Sequence, residues 1–333
     1  MLNFFHRGFE KFVKREPESD QRGQIHMAEM AEQWLRNVRF RIKETSYVKY
    51  HNIVKNHIIP DLGQLEVGEV TTSVIENFIE EKLLDGNVRT AKGLSDKSVK
   101  DIFTVAKGIC RFAAGQGLEI PCHFDQIRIR MRNTEVLLLS EEEQGRLVNF
   151  LLQDEDPKKT GILLSLYMGL RLGEVCALRA ENIKLETGIL QVRHTMQRIQ
   201  NLNAGSGRKT KVIITEPKSL SSNRDIPIPT FLLKRLEILQ MLPQSAYILT
   251  GRVDMYIEPR TMENILDRYL KFCEINNVNY HALRHTFATR CVEIGFDAKT
   301  LSEILGHSNV NITLNRYVHS SMEQKRRSMA IWG

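Results

Sequence analysis

Residues 281–319 read HALRHTFATRCVEIGFDAKTLSEILGHSNVNITLNRYVH and gather most of the candidate chemistry of the chain. His281 and Arg284 stand one helical turn apart. His307 directly follows Gly306, a residue that reads as a helix stop, and Tyr317 comes ten positions later. No acidic cluster interrupts the set. Cations without neighbouring carboxylates suit an anionic substrate, and a phenol among them suits nucleophilic attack.

A chain of 333 residues is long enough for two domains with sizeable cores. The net charge of +7 favours a polyanionic partner, although 47 basic against 40 acidic residues is a modest excess. Five cysteines with no CxxC pair read as reduced core residues. Neither a signal peptide nor a membrane span is legible, so the expected location is cytoplasmic and the expected partners exclude a membrane. The first residues, 1–24, read as an N-terminal extension, a frayed and disordered terminus in preference to a short amphipathic helix on Phe4, Phe5, Phe9 and Phe12.

From Ile25 the pattern is helical. Met27, Met30, Ala31, Trp34, Leu35 and Val38 share one face, a second helix spans Ser46 to His57 and stops at Pro60, and Thr71 or Thr72 caps a third. Ser95 caps a fourth helix, which carries Val99, Ile102, Phe103, Val105, Ala106, Ile109 and Phe112 along its apolar side. These make an all-helical unit over 25–118. Lys43, Thr45, Ser46 and Tyr47, with Arg41, Lys49 and Tyr50 beside them, cluster at one turn, either as phosphate contacts or as an ordinary solvated surface. In the linker 119–137, Arg128, Arg130 and Arg132 alternate with apolar residues at the period of a strand, a stripe that suits a nucleic-acid backbone or an edge strand equally.

Ser140 and Glu143 form a capping-box pattern. Arg171 then falls in the apolar stretch GILLSLYMGLRLGEVCAL, where a buried guanidinium needs a carboxylate or a bound anion, and Glu174 stands one turn away. Three strands are expected next, ILQVRHTMQRIQ, KVIITEPK and SNRDIPIP, paired antiparallel, with Lys218 at a hairpin tip where its amine either solubilises or reaches into a groove. The fold class is therefore mainly α with a small antiparallel sheet. No metal site is expected: Ala282 stands where a zinc helix built on His281 and His285 would carry its glutamate, and the acidic runs 141–143 and 154–156 read as solvated. GSGRKT lacks the order of a nucleotide-binding loop.

Arg171 in GLRLGE, Lys218 in TEPKSLSSNRDIPI, His281 and Arg284 in HALRH, His307 in LGHSN and Tyr317 in NRYVH together resemble the tyrosine recombinases, or phage integrase family, over about 138–320. The closest likeness is to integrases of conjugative transposons and phages. The resemblance implies an all-helical core-binding domain followed by an α+β catalytic domain over 138–319, with a tail over 320–333, the two domains gripping duplex DNA. It implies that Tyr317 attacks a DNA phosphodiester held by Arg171 and Arg284 and forms a 3′-phosphotyrosyl link. Lys218 is then the acid for the leaving 5′ oxygen, His281 and His307 assist at the phosphate, and Glu174 orients Arg171. Helix packing is the expected role of His285, which stays outside this set. No cofactor is implied. The implied partners are double-stranded DNA, three further copies of the chain on synapsed DNA, and accessory DNA-bending or excisionase proteins. A type IB topoisomerase and an inert DNA-binding protein of the same fold are the rival readings.

Overall fold

Glycine at position 108, inside a helix, has a packing reason. A Cβ there would sit 3.1 Å from the Trp34 ring, so its absence lets the helix Met27–Val38 (α1) close on the helix Asp96–Gly115 (α5). The computed structural model in which this contact is seen describes residues 25–132, 137–203, 205, 207–216, 220–317, 326, 329 and 330. They fall into two compact units divided at Asn133–Thr134.

In the first unit α1 buries Met27, Met30, Ala31, Trp34 and Leu35, the face its periodicity predicts. The second helix does not stop at Pro60. It runs as α2, Glu44–Ile53, through a wide turn over Val54–Ile58 into α3, Ile59–Leu62. The π-type turn resets the hydrogen-bonding frame, and Pro60 falls in the first turn of α3, where a missing N–H costs nothing. Thr71 accepts the amide of Val74 to start α4, Thr72–Leu84, and Ser95 accepts that of Ser98 to start α5. Residues 119–132 form no ladder. They turn at residues 124–126, where the Gln126 amide donates to the His123 carbonyl, and beyond the turn Ile127 and Ile129 pack against the helical core while Arg128, Arg130 and Arg132 are exposed, so the strand-like alternation reflects one-sided packing.

The second unit opens with the capping box of Ser140 and Glu143 on α6, Glu141–Leu151. Its central helix is α7, Pro157–Met168, buried nearly all round, as its lack of a polar face requires. Gly169, at φ +65°, ends α7, and α8 follows at Leu172–Ala177. The expected three-stranded sheet is instead two sheets. Ile183–Lys184 (β1), Ile189–Val192 (β2) and Arg224–Pro227 (β5) make one, in the order β1-β2-β5, while Thr195–Gln200 (β3) and Thr210–Thr215 (β4) pair separately. The run ILQVRHTMQRIQ breaks at Arg193 and His194, because the Arg193 guanidinium turns back onto the Arg224 carbonyl and Asp225 of β5. Helices α9, Thr230–Leu236, α10, Pro259–Phe272, α11, Tyr280–Glu293, α12, Ala298–Leu305, and α13, Val310–Tyr317, complete the unit. Four of the five cysteines are buried and all are free thiols. No helix among the described residues is long and apolar enough to cross a membrane.

Ile109 is fully buried in the first unit's core. Ile109→Ala should cost about 2–5 kcal/mol, measured as a lower urea midpoint of the first unfolding transition of the full chain.

Candidate active site

The end of α12 organises the site. Gly306 turns left-handed at φ +63°, and the amides of Gly306 and His307 return to the carbonyls of Glu303 and Ser302 at 3.0 Å each, the two bonds of a Schellman motif. Only glycine fits there, since a Cβ would also meet the Ser221 carbonyl at 2.9 Å. The next three carbonyls each take a guanidinium from a different part of the chain. Arg224 Nε donates to Ile304 at 2.6 Å, Arg284 Nη2 to Leu305 at 2.6 Å, and Arg171 Nη2 to Gly306 at 3.1 Å. Cations belong here, because the carbonyls at a helix C-terminus carry partial negative charge.

Glu174 ties two of these arginines together. It donates nothing and accepts four times: from the Arg171 amide at 2.9 Å, from Arg171 Nη1 at 2.7 Å, and from Arg224 Nη1 and Nη2 at 3.0 and 2.9 Å. Burial alone would raise its pKa, but the Arg224 guanidinium, with Arg171 behind it, brings the carboxyl down to about 2. The sequence placed the buried guanidinium at position 171. In the fold the Arg171 side chain keeps 35% of its surface, and Arg224 keeps 5%. The reason is local: Arg171 is the N-cap residue of α8, outside the helix, so its side chain leaves the apolar row that its neighbours bury.

Asn279 caps α11, which carries the remaining groups. Tyr280 is buried against Ser165 at 3.0 Å and burial drives its phenol pKa upward, which makes it a core residue. Arg284 is 2% exposed and also donates to the Gly169 carbonyl at 2.6 Å. Burial and the nearby Arg171 lower its pKa to about 9, so it is still cationic at neutral pH. Tyr317, at the end of α13, is 7% exposed. Its hydroxyl lies 2.5 Å from His285 Nδ1, and its ring lies parallel to that of His307 with centroids 6.5 Å apart. His307 Nδ1 is held by the Thr313 hydroxyl at 2.8 Å. His281 meets His285 edge to face at 4.4 Å and turns its outer edge to solvent.

Desolvation, then the surrounding guanidiniums, lowers the pKa of His307 to about 4 and moves His281 the same way, while desolvation, then His281 and the guanidiniums of Arg316 and Arg284, lowers that of His285 to about 3. All three imidazoles are neutral at pH 7. Desolvation raises the Tyr317 phenol, opposed by Arg284, Arg316 and Arg171. Three guanidiniums against one carboxylate leave an excess of two positive charges, an anion-binding centre with a phenol at its side.

The fold thus gathers Arg171, Glu174, His281, Arg284, His307 and Tyr317, while Lys218 lies outside the described residues, as do 1–24, Val318 and His319. Sequence reasoning missed Arg224 and set His285 aside. A signal existed for each. Arg224 shares the inward phase of β5 with Ile226, so a charged residue stood in an apolar register, and His285 shares a helix face with His281. In the first unit Lys43 precedes α2, Ser46 and Tyr47 lie in its first turn, and the Thr45 hydroxyl is buried. The Arg39 guanidinium lies 5.8 Å from the Tyr47 ring centroid, and Lys49 pairs with Asp101 at 2.6 Å. Arg132 donates its amide to Asp96 at 2.8 Å while its side chain stays exposed. Among the described residues no group of three or more His, Cys, Asp or Glu is placed to hold a metal ion.

Comparison with known proteins agrees with this architecture. The phage integrase family matches residues 138–324, and the phage integrase N-terminal SAM-like domain matches 27–83. A tyrosine recombinase XerC-like protein of Caldanaerobacter subterraneus subsp. tengcongensis is 28% identical over 329 residues, 92% of this chain and 82% of the relative. The putative prophage phiRv2 integrase of Mycobacterium tuberculosis is 23% identical over 311 residues, 91% of this chain and 76% of the relative. A solved structure of the Tn1549 transposon integrase in complex with a circular intermediate DNA shares the fold, with a TM-score of 0.74 and 20% identity over 93% of this chain and 100% of that one.

Glu174 predicts a pH signature. Its folded pKa is depressed, so its contribution to stability is complete above about pH 4.5 and is lost as pH falls toward 2. Across that window the wild type should lose on the order of 3 kcal/mol more than Glu174→Gln, measured by urea unfolding at stepped pH. Parallel pH curves would remove the carboxylate from the account.

Proposed function

The chain belongs to the phage integrase family, and from that premise we propose that it is a site-specific DNA recombinase that integrates or excises a mobile element or phage. The supporting observation is the placing of a buried tyrosine hydroxyl beside a centre with two excess positive charges. A phosphodiester carries one negative charge, and the five-coordinate state formed on attack carries two, so the centre favours the transition state over the ground state. Arg171 and Arg284 are the proposed partners of the two non-bridging oxygens, their planar forks suited to that geometry. Arg224 and Glu174 hold Arg171 in place from beneath.

In the proposed step Tyr317 attacks phosphorus, the 5′ oxygen leaves with a proton from Lys218, and a 3′-phosphotyrosyl link remains. The ester keeps the bond energy, so a 5′ hydroxyl from a second strand can reverse the step without a nucleotide. His307, its Nδ1 engaged by Thr313, presents Nε2 to a phosphate oxygen, and His281 assists from the neighbouring turn. Duplex DNA is the proposed substrate, with Lys43, Ser46, Tyr47, Arg128, Arg130 and Arg132 contributing backbone contacts. The working assembly is a tetramer on two synapsed duplexes. A solved tetramer of lambda integrase bound to a Holliday junction, similar to this chain with a TM-score of 0.63, supports that assembly.

A nicked suicide duplex carrying the end of the encoding element tests the proposal. Wild type should trap a covalent adduct, and Tyr317→Phe should trap none while its DNA affinity stays within about twofold. Arg171→Ala should slow cleavage by about 10²–10³ and weaken binding far less. An adduct that persists in Tyr317→Phe sinks the proposed nucleophile. Rapid relaxation of supercoiled plasmid lacking any recombination site favours a topoisomerase instead.

A further inference from the structure

The geometry points to His285 as the catalytic base that takes the proton of Tyr317 during strand cleavage, an inference that rests on the recombinase reading above. A phenol with an ordinary pKa near 10 is protonated at neutral pH and must release its proton as the Oη–phosphorus bond forms. Among the described residues the hydrogen-bond partner of that hydroxyl is His285 Nδ1, at 2.5 Å. The alternatives are poorer. The His307 ring centroid lies 6.5 Å from that of the Tyr317 ring and its Nδ1 is already engaged by Thr313, and Arg284 offers only donors.

The surroundings also fix which partner holds the proton. His285 is 5% exposed and faces His281 and Arg284 of its own helix, Arg316 of α13, and His307 of the loop after α12. Desolvation and these neighbours keep the imidazole neutral, and desolvation keeps Tyr317 protonated. The phenol therefore donates, Nδ1 accepts, and the imidazole proton resides on Nε2. One of the two guanidiniums that disfavour an imidazolium at His285, that of Arg284, is also one that a bound phosphate neutralises. Substrate arrival thus strengthens the base, which is weak in the free protein.

The step balances. The Oη proton passes to His285 Nδ1 as the Oη–phosphorus bond forms, the bond from phosphorus to the 5′ oxygen breaks, and that oxygen takes a proton from Lys218. On rejoining, the 5′ hydroxyl gives its proton to Lys218 and attacks phosphorus, the Oη–phosphorus bond breaks, and the imidazolium returns its proton to Oη.

The test compares His285→Asn with His285→Ala in single-turnover cleavage of the suicide duplex across pH 6–10, with DNA affinity and thermal unfolding recorded for each. Asparagine can place an amide oxygen where Nδ1 stood, so it accepts the phenol's hydrogen bond but takes no proton. Both variants should cleave about 10²–10⁴ slower at pH 7, with wild-type binding. The deficit should shrink as rising pH ionises the phenol directly, and added imidazole should restore part of the rate to His285→Ala. Wild-type cleavage by His285→Asn overturns the proposal, leaving a positioning role if His285→Ala is slow and no role if it is not. A deficit that is constant with pH and unmoved by imidazole also overturns it. Failure of the recombinase reading is distinct, since it appears as an adduct in Tyr317→Phe. An inert Tyr317→Phe beside a fully active His285→Asn fails this inference alone.

Discussion

The end of helix α12 needs hydrogen-bond donors, and the second unit is folded around meeting that need. Its last carbonyls cannot be satisfied within the helix. Two are taken by the backbone turn at Gly306, and the next three are taken by Arg224, Arg284 and Arg171, drawn from β5, α11 and the start of α8. Gathering three like charges, two of them buried and the third partly exposed, is costly, and the cost is offset by the carbonyl dipoles and by Glu174, which accepts from two of the three. The offset is incomplete. The remaining positive charge sits beside His307 and Tyr317, where a phosphate can complete it.

This arrangement explains why arginine, and not histidine, carries the charge of the site. Guanidiniums hold their protons even when buried, as Arg284 does with its pKa still near 9. The same cations, with desolvation, strip charge from His281, His285 and His307, which leaves three neutral imidazoles able to accept as well as donate. Charge stabilisation and proton transfer are thereby divided between residue types. In the proposed reaction the arginines bear the phosphate, and the histidines handle protons and hydrogen bonds around it.

The sequence made local features legible and long-range partnerships much less so. Helix α1, the caps at Thr71, Ser95 and Ser140, the stop at Gly306 and the spacing of His281 and Arg284 are written in a few consecutive residues, and the fold has each of them. The expected membership in the phage integrase family also holds. Pro60 misled because a π-type turn shifts the frame before it, which no propensity signals. The strands misled because ILQVRHTMQRIQ leaves one sheet for another at Arg193, a choice made by a side-chain contact 31 positions away. Arg224 was hidden for a similar reason: its partners Glu174 and Ile304 are distant in the chain, and only its inward register on β5 gave it away. His285 looked like packing, and it is packed, but against the hydroxyl that matters.

The central claim is that the Tyr317 hydroxyl is the group that joins DNA. The most direct measurement is digestion of the trapped protein–DNA adduct with protease and nuclease, followed by mass spectrometry of the peptide that retains a nucleotide. The account predicts a single modified peptide spanning Tyr317, with the nucleotide attached through its 3′ phosphate to that side chain. A nucleotide on the peptide containing Tyr280 or any other residue, or attachment through a 5′ phosphate, would contradict it.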